Sequence, residues 1–107
     1  MQRTELGKIE KLSFGFQRDY PFLLGLELTL SGRAWGVGTS YMVNTSPDCK
    51  WDSDDARLQA YYSVMRDIGD LLKEAKKDNI TQLVGVPIEA TFDGNRLVNW
   101  RVLTEVL

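Results

Sequence analysis

Between residues 22 and 30 an apolar side chain occupies every second position, and this strict period of two constrains the fold more than any other feature. The apolar positions are Phe22, Leu24, Leu26, Leu28 and Leu30. Because successive side chains of a strand point to opposite faces, the pattern predicts a strand with one buried face. Leu12, Phe14 and Phe16 repeat the pattern upstream, and a third strand is predicted from Ala34 to about Val43. The first third of the chain is therefore expected to form three strands.

After residue 53 the apolar spacing changes to three and four, which predicts a helix from Ser53 or Asp54 to about Lys77. The expected buried stripe of this helix comprises Leu58, Tyr61, Met65, Ile68, Leu72 and Ala75. Alternation returns in residues 86–92 and 97–107, on either side of an Asp93-Gly94-Asn95 turn. Such a turn joins the two strands of a hairpin, and Pro87 favours an edge position for the first of them.

These elements predict a single α+β domain over residues 1–107, in the order βββαββ. We expect an antiparallel sheet of about five strands with one long helix on one face. The last strand is predicted to reach Leu107, and the strands carry more apolar faces than one helix covers. Since exposed strand edges pair readily with another chain, we expect a homodimer or a higher assembly.

The charge and cysteine content exclude several classes of protein. The 13 basic and 15 acidic residues are interspersed and give a net charge of −2, whereas nucleic-acid-binding proteins usually present a basic face. The single cysteine, Cys49, permits no internal disulfide and fits a reducing compartment. No apolar run approaches the ~20 residues that span a bilayer, and the first ten residues lack a signal-peptide core. We expect a cytoplasmic protein that binds neither membranes nor nucleic acid.

The chain contains no histidine, which removes the commonest general base at neutral pH and most zinc sites. Cys49 has no base beside it, so no covalent nucleophile is expected. The acidic cluster matches no calcium loop and is interpreted as turn and helix-capping residues. Its members are Asp48, Asp52, Asp54 and Asp55. We therefore expect a binding protein without catalytic residues, metal or cofactor; the alternative is an enzyme that uses carboxylates, lysine or tyrosine.

A candidate ligand site combines aromatic rings, small residues and two cations near the third strand. Its predicted members are Arg33, Trp35, Gly36, Gly38, Lys50 and Trp51. Tryptophan faces stack on flat rings, glycines let a ligand approach the backbone, and two cations serve a nucleotide phosphate. The predicted ligand is flat and anionic. The competing interpretation is that both tryptophans are buried and that the glycines make room for the helix.

Several segments resemble a family of small proteins encoded by tailed bacteriophages. They include Phe14–Asp19, Gly25–Leu30, Trp35–Gly38, Lys50-Trp51, Asp54–Arg57, Leu71–Lys76, Val86–Phe92 and Trp100–Leu107. The resemblance covers nearly the whole chain and departs at residues 18–22, where the family has a shorter link. It implies a phage origin, and hence the host cytoplasm, without implying an activity.

In that setting our first hypothesis is a non-catalytic host-interaction protein that acts in counter-defence. Such a protein inhibits a component of bacterial immunity or sequesters a small anionic nucleotide signal. The alternatives are a small carboxylate-based enzyme that acts on a nucleotide, and a virion or replication accessory protein without a small ligand. Of these three hypotheses, only the enzyme would change its ligand chemically, and only the accessory protein would bind no small ligand.

Overall fold

Five strands and one long helix make up the chain. The computed structural model describes residues 1–107. The elements are β1 (Gln2–Phe16), β2 (Leu23–Gly32), β3 (Gly36–Asn44), α1 (Asp54–Ala75), β4 (Pro87–Asp93) and β5 (Arg96–Val102). Two short 3-10 turns lie at Ile80–Leu83 and Thr104–Val106. The predicted α+β class and the order βββαββ are confirmed.

The five strands form one antiparallel sheet in the order β3-β2-β1-β4-β5. The long central strand β1 pairs with β4 through its first half and with β2 through its second half. The register shifts between Ile9 and Lys11, where the two halves meet. A bulge of this kind bends a strand and increases its twist, so the sheet curls. As a result both edge strands, β3 and β5, contact α1.

The core lies between α1 and one face of the curled sheet. β2 contributes Leu26, Leu28 and Leu30, all at most 2% exposed, which confirms the predicted alternation at these positions. Leu24 is half-buried, whereas Phe22 lies outside β2 and is exposed. The hydrophobic core cluster is Ile9, Leu26, Leu28, Leu30, Val43, Val64, Ile68, Leu71, Ala75, Leu83, Val86, Ile88, Ala90, Phe92 and Val102. No polar or charged residue is buried. The opposite face of the sheet carries no helix and holds the odd-numbered positions of β2.

The termini of α1 follow from local chemistry. Of the two predicted starting residues, Ser53 rather than Asp54 caps the first turn, and it accepts a hydrogen bond from the Ala56 amide at 3.0 Å. The helix ends at Ala75 because Lys76 adopts a left-handed conformation, with φ of 58°. The Lys76 and Lys77 amides then close the last turn on carbonyls of α1. The helix therefore ends two residues before the predicted end at about Lys77, and Asn79 caps the following 3-10 turn.

The buried stripe of α1 differs from the predicted one. Leu58 and Met65 are 57% and 64% exposed, while Val64 and Leu71 are buried in their place. The helix carries two neighbouring apolar arcs, and the edge strands cover only one of them. Similarly, Phe14 and Phe16 share the core face of β1 with Leu12 but stay exposed, at 49% and 62%.

Two strand predictions need correction. Pro87 is not on an edge: it begins β4, which lies between β1 and β5, and the first residue of a strand tolerates a missing amide donor. The last strand ends at Val102 rather than at Leu107. The Leu103 amide makes a final bond to the Pro87 carbonyl at 3.0 Å, and the chain then turns. Arg101 holds this turn through the Glu105 carboxylate at 2.8 Å.

Candidate functional site

The six residues of the predicted ligand site do not come together. Arg33, Trp35, Gly36 and Gly38 lie at the start of β3, whereas Lys50 and Trp51 follow its end. An extended strand rises about 3.3 Å per residue, so Gly36 and Asn44, the first and last residues of β3, lie roughly 25 Å apart. Trp51 lines a cleft together with Asn44. The correction has a simple cause: the sequence order suggested proximity, but the extended strand holds the groups apart. A ligand on one group does not touch the other.

Trp35 belongs to the protein's packing. Its ring lies edge-on to Phe92 with the centroids 5.1 Å apart, and it fills space above Gly7 and Gly32. A Cβ on Gly32 would lie 2.1 Å from Trp35 Nε1, and a Cβ on Gly7 would lie 2.7 Å from the ring. These two glycines are therefore required by the close approach of the indole. For Trp35 the structure favours the interpretation as a packing residue.

Gly36 and Gly38 do not make room for the helix. They pair with Ser31 and Thr29 of β2, on the sheet face opposite to α1. Both glycines are exposed, and a Cβ on either would meet nothing closer than a carbonyl oxygen of β2 at 3.8 Å. The expectation that they accommodate the helix is wrong, and they leave a shallow strip on the open face of the sheet.

Trp51 opens onto a cleft of about 540 Å³, here called the Trp51 cleft. It lies between the loop that follows β3 and the first turns of α1. Its lining residues are Asn44, Thr45, Ser46, Pro47, Cys49, Trp51, Ser53, Asp54, Arg57 and Tyr61. Lys50 is exposed and does not line the cleft. Of the six predicted residues, only Trp51 contributes to it.

Local hydrogen bonds hold the loop wall of this cleft in place. The Ser46 amide donates to Asn44 Oδ1 at 2.9 Å, and the Cys49 amide donates to the Ser46 carbonyl at 3.1 Å. Thr45 donates through both its amide and its hydroxyl to the Phe22 carbonyl, each at 2.8 Å. The loop is thus tied to the start of β2, so the Trp51 cleft has a preformed wall.

Three side chains give the Trp51 cleft its chemistry. Trp51 and Tyr61 supply aromatic surface, and Arg57 supplies a guanidinium group. Arg57 is exposed and takes part in none of the ion pairs of the protein. The positive end of the α1 dipole lies in the same wall and favours anions, whereas Asp54 opposes them. Sequence reasoning missed Arg57, although its position four residues before Tyr61 places both on one side of the helix.

A second cleft, here called the acidic cleft, lies where both edge strands approach α1 and has a volume of about 330 Å³. Its lining residues are Tyr41, Asp67, Asp70, Leu71, Glu74, Trp100, Arg101 and Val102. Burial raises the pKa of Tyr41, and the charges of Asp67 and Glu74 raise this pKa further. Nowhere in the protein are three or more carboxylate or thiol groups placed to hold a metal ion.

Comparisons with protein-family models, with curated proteins and with solved structures found no match. None of the helices combines the length and the apolar character needed to cross a membrane.

Proposed function

We propose that the protein is a non-catalytic binding protein that holds a flat, anionic ligand of the nucleotide type in the Trp51 cleft. The observation that carries this proposal is the unpaired Arg57 guanidinium, which opens onto the same cleft as the Trp51 and Tyr61 rings. Arginine is suited to phosphate because its planar group donates two parallel hydrogen bonds. The cleft therefore offers a charged contact and a stacking surface to one ligand.

The expected energetics agree with a small ligand. A base gains roughly 1–3 kcal/mol by stacking on an aromatic side chain. Hydrogen bonds to a charged partner contribute about 1.5–3 kcal/mol each. Free amides in the first turn of α1 add donors for a phosphate oxygen. These contacts match a small anionic ligand, and they require no cofactor.

The proposed biological role is host interaction, in the form of counter-defence in the host cytoplasm. The resemblance to small tailed-bacteriophage proteins supports this context. A protein that retains an immune nucleotide signal without changing it lowers the free concentration of that signal. Under this proposal, the Trp51 cleft binds and retains the nucleotide and does not change it chemically.

Titration of the purified protein with mono-, di- and cyclic nucleotides in a calorimeter tests the proposal. We expect saturable binding of at least one of them, with the ligand recovered intact by chromatography. Arg57→Ala should weaken this binding at least tenfold, whereas Arg66→Ala, a matched change on the exposed side of α1, should leave it unchanged. Equal losses in the two variants, or no binding at all, would contradict the proposal. A chemically altered ligand would instead support the enzyme hypothesis.

A second candidate function is direct binding to a host protein through the end of the β1–β2 hairpin. Four aromatic side chains are exposed there: Phe14, Phe16, Tyr20 and Phe22, at 49%, 62%, 55% and 40%. Interfaces between proteins are enriched in such residues. Phage plating on bacteria that carry single defence systems separates the two functions. Loss of rescue with Arg57→Ala supports ligand sequestration, whereas loss with Phe16→Ser alone supports protein binding.

A further inference from the structure

The open face of the sheet contains a depression of about 240 Å³ that we call the acceptor notch. It is formed by β2, β3 and the residue that follows β1. Its lining residues are Gln17, Glu27, Leu28, Thr29, Gly38, Thr39 and Ser40. The register explains the arrangement, because Glu27 lies opposite Ser40 and Thr29 lies opposite Gly38. The notch is on the sheet face away from α1 and is separate from the Trp51 cleft.

Two oxygen atoms in the notch lack hydrogen-bond partners. Gln17 Oε1 and Glu27 Oε1 are shielded from water and accept no hydrogen bond. A buried acceptor without a donor destabilises a protein, and a charged acceptor does so more strongly. The remaining polar side chains of the notch are hydroxyls, and no lysine or arginine lines it. The notch therefore presents acceptors, including one carboxylate, without a matching cationic donor.

One basic side chain lines the depression next to the notch. Lys11 lines an adjacent depression together with Glu27 and Thr29, since it pairs with Thr29 in the sheet. Lys11 and Glu27 form no ion pair. Glu27 therefore has no ionic partner within the protein.

We propose that the acceptor notch binds a guanidinium or alkylammonium group. Such a group brings several N–H donors and a positive charge. These complement the oxygens of Gln17, Glu27 and Ser40 once the half-buried Gln17 and Glu27 side chains rotate towards the ligand. Gly38 leaves the floor open: a Cβ there would meet only the Leu28 carbonyl, at 3.9 Å. A planar guanidinium fits this flat floor better than a tetrahedral ammonium. The site is independent of the proposed nucleotide function, because it lies on another face and takes a ligand of opposite charge.

The test follows amide and side-chain NMR signals during titration with two probes, agmatine and butylammonium. We expect saturable shifts at Gly38, Thr29 and the Gln17 side-chain amide, with agmatine binding more tightly. Glu27→Gln should weaken binding at least tenfold, whereas Glu10→Gln, the same change at an exposed position of β1, should have no effect. Acetyl-arginine amide as a third probe distinguishes the source, because tighter binding than agmatine indicates an arginine side chain of a protein.

Gly38→Val provides a second variant that keeps the carboxylate. The backbone of Gly38 is not left-handed and a Cβ there meets only ordinary contacts, so the variant should fold while its side chain fills the notch and abolishes binding. Unchanged binding in Gly38→Val would overturn the proposal, as would equal effects of Glu27→Gln and Glu10→Gln. The proposal would also be refuted if no NMR signal shifted saturably with either probe and the Gln17 side-chain amide donated to Glu27 instead.

Discussion

The two tryptophans on either side of β3 should respond differently to truncation. Trp35 packs against the core through Phe92 and above two glycines, whereas Trp51 lines an open cleft and does not join the core cluster. Replacing a buried tryptophan by alanine costs about 3–5 kcal/mol. Because Trp35 is half-buried, we expect the lower end, about 3 kcal/mol, for Trp35→Ala. For Trp51→Ala we expect about 1 kcal/mol or less.

Thermal unfolding followed by circular dichroism measures this difference. In a domain of this size 1 kcal/mol shifts the melting temperature by about 5 °C, so Trp35→Ala should melt about 15 °C below the parent protein. Trp51→Ala should melt within about 5 °C of it. Tyr62→Ala, which truncates an aromatic residue on the exposed side of α1, supplies the baseline. If Trp51→Ala loses as much stability as Trp35→Ala, then Trp51 is a packing residue and the proposed ligand site is misplaced.

Three further predictions concern the tail, the glycines and assembly. Hydrogen bonds from Arg101 lower the pKa of Glu105 to about 2. The stability that this interaction adds to the folded protein is complete above the ordinary pKa of 4.5 and is lost as the pH falls towards 2. An NMR titration of the Glu105 carboxyl tests this. Gly32→Ala should destabilise the protein by about 1–3 kcal/mol in urea, because its Cβ would lie 2.1 Å from Trp35 Nε1, whereas Gly36→Ala should be nearly neutral; equal effects would contradict the packing account. We also propose that the protein forms a homodimer or higher assembly, and light scattering that finds a monomer at micromolar concentration would refute this.

The parts of the fold that the sequence predicted are those determined by local chemistry. The leucines of β2 alternate because each strand residue turns its side chain to the opposite face from its neighbour, so their pattern sufficed. The start of α1 was equally accessible, since the Ser53 hydroxyl and the Ala56 amide are only three residues apart. By contrast, β1 begins at Gln2 in a polar segment without alternation. Its first half is held by backbone hydrogen bonds to β4, which depend on distant pairing rather than on side-chain pattern.

The candidate site was less accessible to sequence reasoning, because it depends on distances between elements. The pattern identified Trp51 but grouped it with Trp35, and only the length of β3 separates them. The side of α1 that faces the sheet was equally difficult to predict. Leu58 and Val64 belong to neighbouring apolar arcs, and periodicity alone does not say which arc faces the sheet. Neither pattern identified Arg57 as a site residue, because it stands out only through its lack of an ion-pair partner in the folded protein.

The alternation of β2 also explains why binding and stability can be separated by mutation in so small a domain. Its even positions carry the leucines of the core, so any change there lowers the stability of the whole fold. Its odd positions, including Glu27 and Thr29, lie on the face that α1 does not cover. Arg57 is likewise outside the core cluster. Changes at Glu27 or Arg57 can therefore abolish their separate binding events in a folded protein, whereas a core variant such as Leu28→Ala should weaken both together through unfolding.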